Sequence, residues 1–177
     1  QVLTQIAHSL EPGDIVSLLS WDTAVTVLLD QETVSGPDDP QLLAAIHALD
    51  TGGSTDLHGG LVRAYQLAEA AYHPDRLNRV VLISDGGANT GVTDVQLIAS
   101  HSDDAEAEGI YMVGVGIDDN AYDYSDSLMD GITDAGKGAY VYIDGEDEAG
   151  TIFGDDERFL SVMEIAARAV QVEMVMP

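Results

Sequence analysis

Hydrophobic residues at the start of the chain recur at helical spacing, and a polar break follows them. Val2, Ile6 and Leu10 share one face of a helix, and a Glu-Pro-Gly-Asp sequence directly after Leu10 ends it. Two short apolar runs rich in β-branched residues come next, at 15–20 and 24–29. Their length and the short turn between them predict a β-hairpin after the first helix.

The middle of the chain returns to a helical period twice. A Gly- and Pro-rich loop at 36–40 precedes the first of these helices, and the sequence Gly-Gly-Ser-Thr at 52–55 separates the two. The apolar residues of the first helix are Leu42, Leu43, Ile46 and Leu49, and those of the second are Leu61, Val62, Tyr65, Leu67 and Ala68.

Strand and helix patterns alternate through the second half. Apolar runs predict strands at 80–83, 110–115 and 140–143, and helical patterns follow them at 95–108, 126–135 and 147–153. Strands separated by helices of about ten or more residues require right-handed crossovers and a mostly parallel sheet. Charged residues flank the run at 80–83, which is typical of a strand buried on both faces. The predicted fold class is α/β, with a mostly parallel sheet flanked by helices.

The pattern changes near the carboxyl end of the chain. Apolar residues alternate with mostly polar ones over 169–176, which predicts a half-buried strand. Gln171 and Glu173 would fit badly in a central strand that is buried on both faces. We therefore expect an α/β domain at 1–157 and, at 158–177, a helix and strand that lead toward a following domain.

The charge balance excludes several classes of function. Acidic residues number 32 against 6 Lys and Arg, so the formal net charge is −26. Nothing is available to neutralise phosphates, which argues against binding to nucleic acid or to an anionic membrane through a basic patch. The hydrophobic fraction of 45% is too high for a disordered acidic chain. No apolar run approaches the ~18 residues of a transmembrane helix.

Length and cysteine content bound the architecture further. The 177 residues correspond to about one domain. The sequence has no cysteine, which excludes disulfides, thiolate metal sites and a thiol nucleophile.

Two polar loops lie where ligands bind in parallel sheets, beyond the carboxyl ends of the strands. Gly-Gly-Ser-Thr-Asp at 52–56 precedes a predicted helix, and Ser-Asp-Gly-Gly at 84–87 directly follows a predicted buried strand. Their hydroxyls, carboxylates and carbonyls are hard oxygen ligands suited to Mg²⁺ or Ca²⁺. The alternative is structural: Ser54 or Thr55 caps a helix, and Asp85 forms a turn.

Other polar motifs give weaker functional signals. Gly114 and Gly116 match part of a dinucleotide fingerprint, but the third glycine is missing and the acidic pair that follows would repel a pyrophosphate. The five histidines have no metal-ligand spacing, and the acidic stretch at 118–130 lacks the central Gly and closing Glu of an EF-hand loop. No nucleophile elbow of the form Gly-x-Ser-x-Gly occurs, so we do not expect an enzyme.

Several motifs taken together resemble one known family. They are Gly-Gly-Ser-Thr-Asp-Leu at 52–57, Val-Leu-Ile-Ser-Asp-Gly at 81–86, Asn-Thr-Gly-Val-Thr-Asp at 89–94, Gly-Ile-Tyr at 109–111, Gly-Val-Gly at 114–116 and Gly-Lys-Gly-Ala-Tyr at 136–140. With this order and spacing, nearly the whole chain resembles the von Willebrand factor type A (vWA) domain. The resemblance is greatest to a bacterial branch of membrane-associated or secreted proteins similar to calcium-activated chloride channel-like proteins.

The resemblance implies a doubly wound sheet whose top carries a metal-ion-dependent adhesion site (MIDAS). Such a site draws its ligands from three loops: an Asp-x-Ser-x-Ser motif after the first strand, a Thr and an Asp. By this resemblance Thr55 is the hydroxyl ligand and Asp85 is the carboxylate. The ion, Mg²⁺ or alternatively Mn²⁺ or Ca²⁺, would bind an Asp or Glu presented by a protein partner.

The sequence departs from the family pattern at the first of these loops. No Asp-x-Ser-x-Ser follows an initial strand, and the stretch at 123–127 matches it in letters only, because it lies between a late strand and a helix. The resemblance places the first strand at the centre of the sheet, so we expect that strand and its motif upstream in the natural protein. Two of about six ligands would remain, so this chain alone is expected to bind metal weakly or not at all.

Three functional hypotheses follow. The leading one is a non-enzymatic protein-binding module in an extracellular, periplasmic or membrane-associated location, as the resemblance implies. A metal-independent scaffold or assembly module with a degenerate site is the alternative. A metal-dependent hydrolase using Asp85 is a remote third, because the sequence offers no credible base and no second acidic cluster.

Overall fold

The computed structural model of the chain describes residues 2–21, 24–49, 56–84, 109–117, 126–143, 150–151, 161 and 163. The elements, in chain order, are α1 (Val2–His8), β1 (Ile15–Trp21), β2 (Val25–Thr33), α2 (Pro40–His47), α3 (Leu57–Ala70), β3 (Arg79–Ser84), β4 (Tyr111–Ile117), α4 (Asp126–Ala135) and β5 (Ala139–Ile143). The predicted first helix, the hairpin and the later strands are confirmed. The predicted segments at 95–108 and 169–176 lie outside the described residues, and the domain division at 157 stays a prediction.

Within the described ranges, the strands form two sheets. β1 and β2 pair antiparallel, with Ile15 opposite Thr33 and Trp21 opposite Val25. β3, β4 and β5 form a parallel sheet in that order. The parallel sheet predicted from the alternation of strands and helices in the second half is therefore confirmed.

Helices cover both faces of the parallel sheet. On one face, α3 and α4 enclose a core whose buried members are Leu57, Leu61, Tyr65, Val80, Leu82, Ile110, Met112, Met129 and Ile132. Side chains alternate between the faces along a strand, so Val113 and Val115 point the other way. There they pack with Val2 of α1 and with Met163. Helices on both faces of a parallel sheet are the doubly wound α/β arrangement that the sequence predicted.

The hairpin has a small core of its own. Ala7 of α1, Leu42 of α2 and Val34, just after β2, are buried together. This cluster joins α1 and α2 to one face of the hairpin, while α3 packs against the hairpin as well as against β3. α3 therefore connects the two sheets.

β3 differs from the prediction in its burial. Val80, Leu82 and Ser84 are buried, whereas Val81 and Ile83 are only half-buried. β4 is buried on both faces over 112–116. The difference follows from position, because β4 lies between two strands, whereas β3 has a strand neighbour on one side only within the described part of the chain.

Candidate functional site

The parallel strands end together at one edge of the sheet. Ser84, the last residue of β3, pairs with Gly116, and Ile117, the last residue of β4, pairs with Ile143 at the end of β5. In α/β sheets this carboxyl edge is where ligands bind. We call it the upper edge.

β1 runs in the same direction as β3, as a contact at the opposite edge shows. Arg76, three residues before β3, donates a hydrogen bond from Nη1 to the carbonyl oxygen of Gly13, two residues before β1, at 2.8 Å. The two strands therefore start at the same lower edge. β1 consequently ends, like β3, at the upper edge.

The beginning of α3 also lies at the upper edge. Trp21, the last residue of β1, packs so closely on the first turn of α3 that a Cβ at Gly60 would come within 2.9 Å of its Cγ. Asp56 is the N-cap of this helix, and its Oδ1 accepts a hydrogen bond from the Gly59 amide at 3.0 Å. A small residue at position 60 thus lets the end of β1 and the start of α3 meet.

The two predicted ligands, Thr55 and Asp85, lie outside the described residues, as do the first three residues of the Asp-x-Ser-x-Ser letter match at 123–127, whose last two residues begin α4. Their described neighbours, Asp56 and Ser84, both lie at the upper edge. The N-cap of α3 is Asp56, which is one residue after the Thr55 and two after the Ser54 named in the structural alternative.

The chemistry of the described part of the upper edge is compatible with a hard cation but does not complete a site. Asp56 and Ser84 are oxygen donors, and one carboxylate oxygen of Asp56 is engaged by the Gly59 amide. Within the described ranges no group of three or more His, Asp or Glu side chains is close enough to hold a metal ion. His58, in the first turn of α3, is half-buried.

Gly114 has a packing role. A Cβ at this position would overlap Cγ2 of Thr133 on α4 and lie 3.3 Å from the terminal methyl group of Met129. The glycine therefore lets α4 approach the middle of β4, which gives Gly114 a role that needs no bound phosphate.

The sequence reasoning missed two features near the site. The contact of Trp21 with Gly60 and the bond from Arg76 to Gly13 join residues far apart in sequence, so no local pattern indicates them. The sequence offers one signal for the contact of Trp21 with Gly60. A glycine lies within the helical pattern at position 60, and a glycine in a helix interior often marks a close packing contact.

No helix in the described ranges combines the length and the apolar character that a membrane crossing requires.

The comparison with known sequences identifies one family. The sequence model of the von Willebrand factor type A domain matches residues 1–88. The uncharacterized protein YfbK of Escherichia coli (strain K12) is 30% identical over 171 residues, which cover 97% of this chain and 29% of that protein. The chain thus spans less than a third of the length of this relative.

Three solved structures share the fold at low sequence identity. A von Willebrand factor type A protein from Catenulispora acidiphila has a TM-score of 0.70 at 17% identity, covering 91% of this chain and 36% of that one. Proximal thread matrix protein 1 from the mussel byssus, with a zinc-occupied MIDAS motif, has a TM-score of 0.66 at 15% identity, covering 86% and 39%. An aerotolerance-related membrane protein from Bacteroides fragilis has a TM-score of 0.59 at 15% identity, covering 86% and 83%.

The sequence match covers the first half of the chain, and the structural matches extend across both the hairpin and the parallel sheet. Sequence and architecture therefore lead to the same result: the chain belongs to the von Willebrand factor type A domain family.

Proposed function

We propose that this chain is a protein-binding module that captures an acidic side chain of a partner through a divalent cation held at the upper edge. Domains of this family are protein-interaction modules that are generally not enzymes. Beyond this general role, the proposal specifies a bound divalent ion, its ligands Thr55 and Asp85, and an acidic partner.

One observation carries it. β1, β3, β4 and β5 end at the upper edge, and α3 begins there. The residue directly before Asp56 and the residue directly after Ser84 are Thr55 and Asp85. These flanking positions support a shared site, because Asp56 at the start of α3 and Ser84 at the end of β3 lie at the same edge.

A second line of support comes from a relative of the fold. The mussel byssus protein is described with a zinc-occupied MIDAS motif. The same scaffold therefore holds a divalent ion in at least one case, although at 15% identity this likeness concerns the fold alone.

The physical basis is incomplete neutralisation of the ion. One carboxylate and one hydroxyl leave a divalent cation electrophilic, and Mg²⁺ takes about six oxygens while it keeps several waters. A partner carboxylate would replace one such water. The bond between ion and carboxylate would then give both affinity and selectivity for an Asp or Glu.

The test is a calorimetric titration of the natural protein with Mg²⁺, Mn²⁺ and Ca²⁺, repeated with Thr55→Ala and Asp85→Ala. Matched controls are Thr33→Ala, which pairs with Ile15 at the lower edge, and Asp75→Ala, which is exposed beside Arg76. We expect each site variant to lose at least tenfold in affinity and each control to bind as wild type does. Equal binding by all four variants would contradict the proposed site.

The metal-independent scaffold remains a second candidate because of one observation. The described residues contain no cluster of three acidic or histidine side chains, and no Asp-x-Ser-x-Ser follows β1. Partner capture that persists in EDTA would favour this candidate, whereas capture that requires a divalent ion would favour the adhesion site.

Location belongs to the same proposal. A membrane protein of Bacteroides fragilis shares the fold, and the bacterial relative YfbK is more than three times as long as the aligned region. We therefore propose a bacterial protein that is membrane-associated or exported. Fractionation of the source cells, with detection of this chain, would test it, and recovery in the cytosol alone would contradict it.

A further inference from the structure

Glycine occupies two successive positions near the start of α3, Gly59 and Gly60. Glycine is unfavourable within a helix, because it loses more backbone freedom on folding than any other residue. A helix that begins with this pair tends to fray at its start unless other contacts hold it. The start of α3 matters for the proposed site, since Thr55 directly precedes the N-cap of this helix.

The first of these contacts is the cap itself. The amide of Gly59 donates to Oδ1 of Asp56 at 3.0 Å, and the amide of Gly60 donates to the Asp56 carbonyl oxygen at 3.1 Å. A Cβ at Gly59 would overlap the Asp56 carboxylate, so the lack of a side chain there lets the cap close. The two glycine amides therefore fix the position of Asp56.

The second contact comes from β1. The three atoms nearest to a Cβ built at Gly60 all belong to Trp21, with its Cγ at 2.9 Å and its Cβ and Cδ2 at 3.1 Å. Trp21 is half-buried and also packs against the core that contains Leu57 and Leu61. Because Trp21 is paired with Val25 in the hairpin, its ring is a support anchored in a sheet.

We propose that Trp21 is a positioning residue for the metal site. By packing on Gly60 it fixes the first turn of α3 and, through Asp56, the place from which Thr55 reaches the ion. The inference rests on the proposed function, because the affinity in question is that of the same site. The indole ring does not itself bind the ion, since it has one N–H donor and no oxygen for a hard cation.

The effect on affinity has an entropic cause. A ligand residue that is already held in place loses little conformational freedom when the ion binds, whereas a residue on a frayed turn must be ordered at that moment. Removal of the Trp21 ring would therefore weaken ion binding although every proposed ligand is still present. Trp21 would act on the ion only through Gly60 and Asp56.

A purely structural role for Trp21 makes a different prediction. A side chain that only fills the core would affect the stability of the fold and leave the affinity of the folded molecules for the ion unchanged. Affinity and stability must therefore be measured separately. They must also be compared with those of a variant that is destabilised elsewhere on the same helix.

The first test is a calorimetric titration of the natural protein with Mn²⁺ well below its melting temperature, together with thermal melts. The variants are Trp21→Ala, Trp21→Phe and, as control, Leu67→Ala, which removes a side chain that is 3% exposed two turns after Gly60. We expect Trp21→Ala to lose about fivefold or more in affinity. Trp21→Phe should bind within about twofold of wild type, because a phenyl ring still packs on Gly60.

The Leu67→Ala control should lower the melting temperature, because it leaves a cavity in the core. Its affinity for Mn²⁺ should nevertheless stay within about twofold of wild type, since the first turn of α3 keeps both of its contacts. An affinity loss in Leu67→Ala as large as that in Trp21→Ala would show that stability alone controls binding, and would overturn the inference.

The second test is a double-mutant cycle between Trp21 and Gly60. Gly60→Ala places a methyl group against the ring, so we expect it to weaken Mn²⁺ binding about fivefold or more. In the Trp21→Ala background the ring that this methyl group would meet is gone, and Gly60→Ala should cause no further loss. Equal losses from Gly60→Ala in both backgrounds would contradict the proposed coupling.

The outcomes separate this inference from the proposed function. Weak binding by Thr55→Ala and Asp85→Ala, together with wild-type affinity in Trp21→Ala, would overturn the role of Trp21 and leave the metal site intact. If Thr55→Ala and Asp85→Ala bind as wild type does, the proposed function fails, and the role of Trp21 fails with it.

Discussion

Asp39 shows how one side chain organises a turn. It is 4% exposed and caps α2, with Oδ1 accepting hydrogen bonds from the amides of Gln41 at 2.9 Å and Leu42 at 3.0 Å. Its Oδ2 accepts from the amide and the hydroxyl of Ser35, at 2.9 and 2.8 Å. The hydrogen bond from the Leu42 backbone amide is the largest cause that lowers the pKa of Asp39 to about 2. The two hydrogen bonds from Ser35 are the next largest. The carboxylate is therefore ionised at neutral pH.

We expect Asp39→Asn to lower the melting temperature at pH 7, because Asn has one oxygen and cannot accept all four bonds. The folded pKa lies below the ordinary aspartate value of 3.8, so the charged form stabilises the fold above about pH 3.8, and this contribution is lost as the pH falls toward 2. The difference in melting temperature between wild type and variant should therefore shrink over that interval. Thermal melts at several pH values measure it.

The control for this experiment is the neighbouring Asp38→Asn. The Asp38 side chain is 90% exposed and lies 3.9 Å from His8. Its replacement should change the melting temperature little, since surface pairs of this kind contribute ~1 kcal/mol or less. A gap between wild type and Asp39→Asn that stays constant from pH 7 to pH 2 would contradict the assigned role of the carboxylate.

Two glycines, Gly131 in α4 and Gly138 just before β5, should respond in opposite ways to replacement by alanine. A Cβ at Gly138 would overlap the carbonyl oxygen of Met112, whereas a Cβ at the exposed Gly131, within α4, would meet nothing within 4 Å. We expect Gly138→Ala to destabilise by roughly 2–4 kcal/mol, because backbone must move. Gly131→Ala should stabilise by roughly 0.5–1 kcal/mol, because alanine favours a helix. Urea unfolding midpoints distinguish them, and similar midpoints for both variants would contradict the packing at Gly138.

At the scale of elements, the hydrophobic pattern predicts only those parts of a strand whose side chains are buried. The sequence predicts the second hairpin strand at 24–29, but β2 extends to Thr33. The added residues are mainly polar and belong to the strand because they pair with the start of β1, with Val16 opposite Glu32. Gln31 interrupts the regular ladder with a φ of 52°, and its amide donates to Ser17 Oγ at 3.0 Å. Backbone pairing of this kind has no apolar signature.

The same distinction applies to the site. The motifs around Thr55 and Asp85 are local, so the sequence alone indicates both loops. Their described neighbours, Asp56 and Ser84, share one edge through the contacts of Arg76 with Gly13, 63 residues away, and of Trp21 with Gly60. Hydrophobic periodicity does not indicate contacts between residues far apart in sequence. The shared edge could therefore be identified only from the structure.

Arg79, the first residue of β3, contacts Met163, which is distant in sequence. Its Nε donates to the Met163 carbonyl at 2.7 Å, and its guanidinium lies 5.1 Å from the centre of the Tyr111 ring. We expect Arg79→Leu to lower the free energy of unfolding by about 2 kcal/mol, through the loss of a charged hydrogen bond and a cation–π contact.

Arg79→Lys is the matched variant for this prediction. It keeps the charge near Tyr111 but loses the planar guanidinium. Its free energy of unfolding should therefore lie between those of wild type and Arg79→Leu. Urea denaturation of the three proteins provides the comparison. Equal stability of Arg79→Leu and wild type would show that the contact to Met163 adds nothing to the fold.

At the scale of the whole molecule, the net charge of −26 describes the surface more than the site. Acidic residues outnumber Lys and Arg by 32 to 6, so most carboxylates have no basic side chain to pair with. Most carboxylates are therefore balanced by solvent ions. Repulsion among them weakens the fold at low ionic strength, and added salt relieves it.

We expect the melting temperature to rise by about 5 °C or more between 10 mM and 1 M NaCl, since the Debye length falls from ~30 to ~3 Å and a shift of this size corresponds to only a few kcal/mol. Chloride is preferred to sulfate, which stabilises most proteins by exclusion from their surface. A variant with Asp38, Asp75 and Asp134, all exposed, changed to Asn provides the control. Its melting temperature should depend less on salt, because three of the repelling charges are gone. A melting temperature that is flat or falls with NaCl in both proteins would show that surface repulsion does not limit stability.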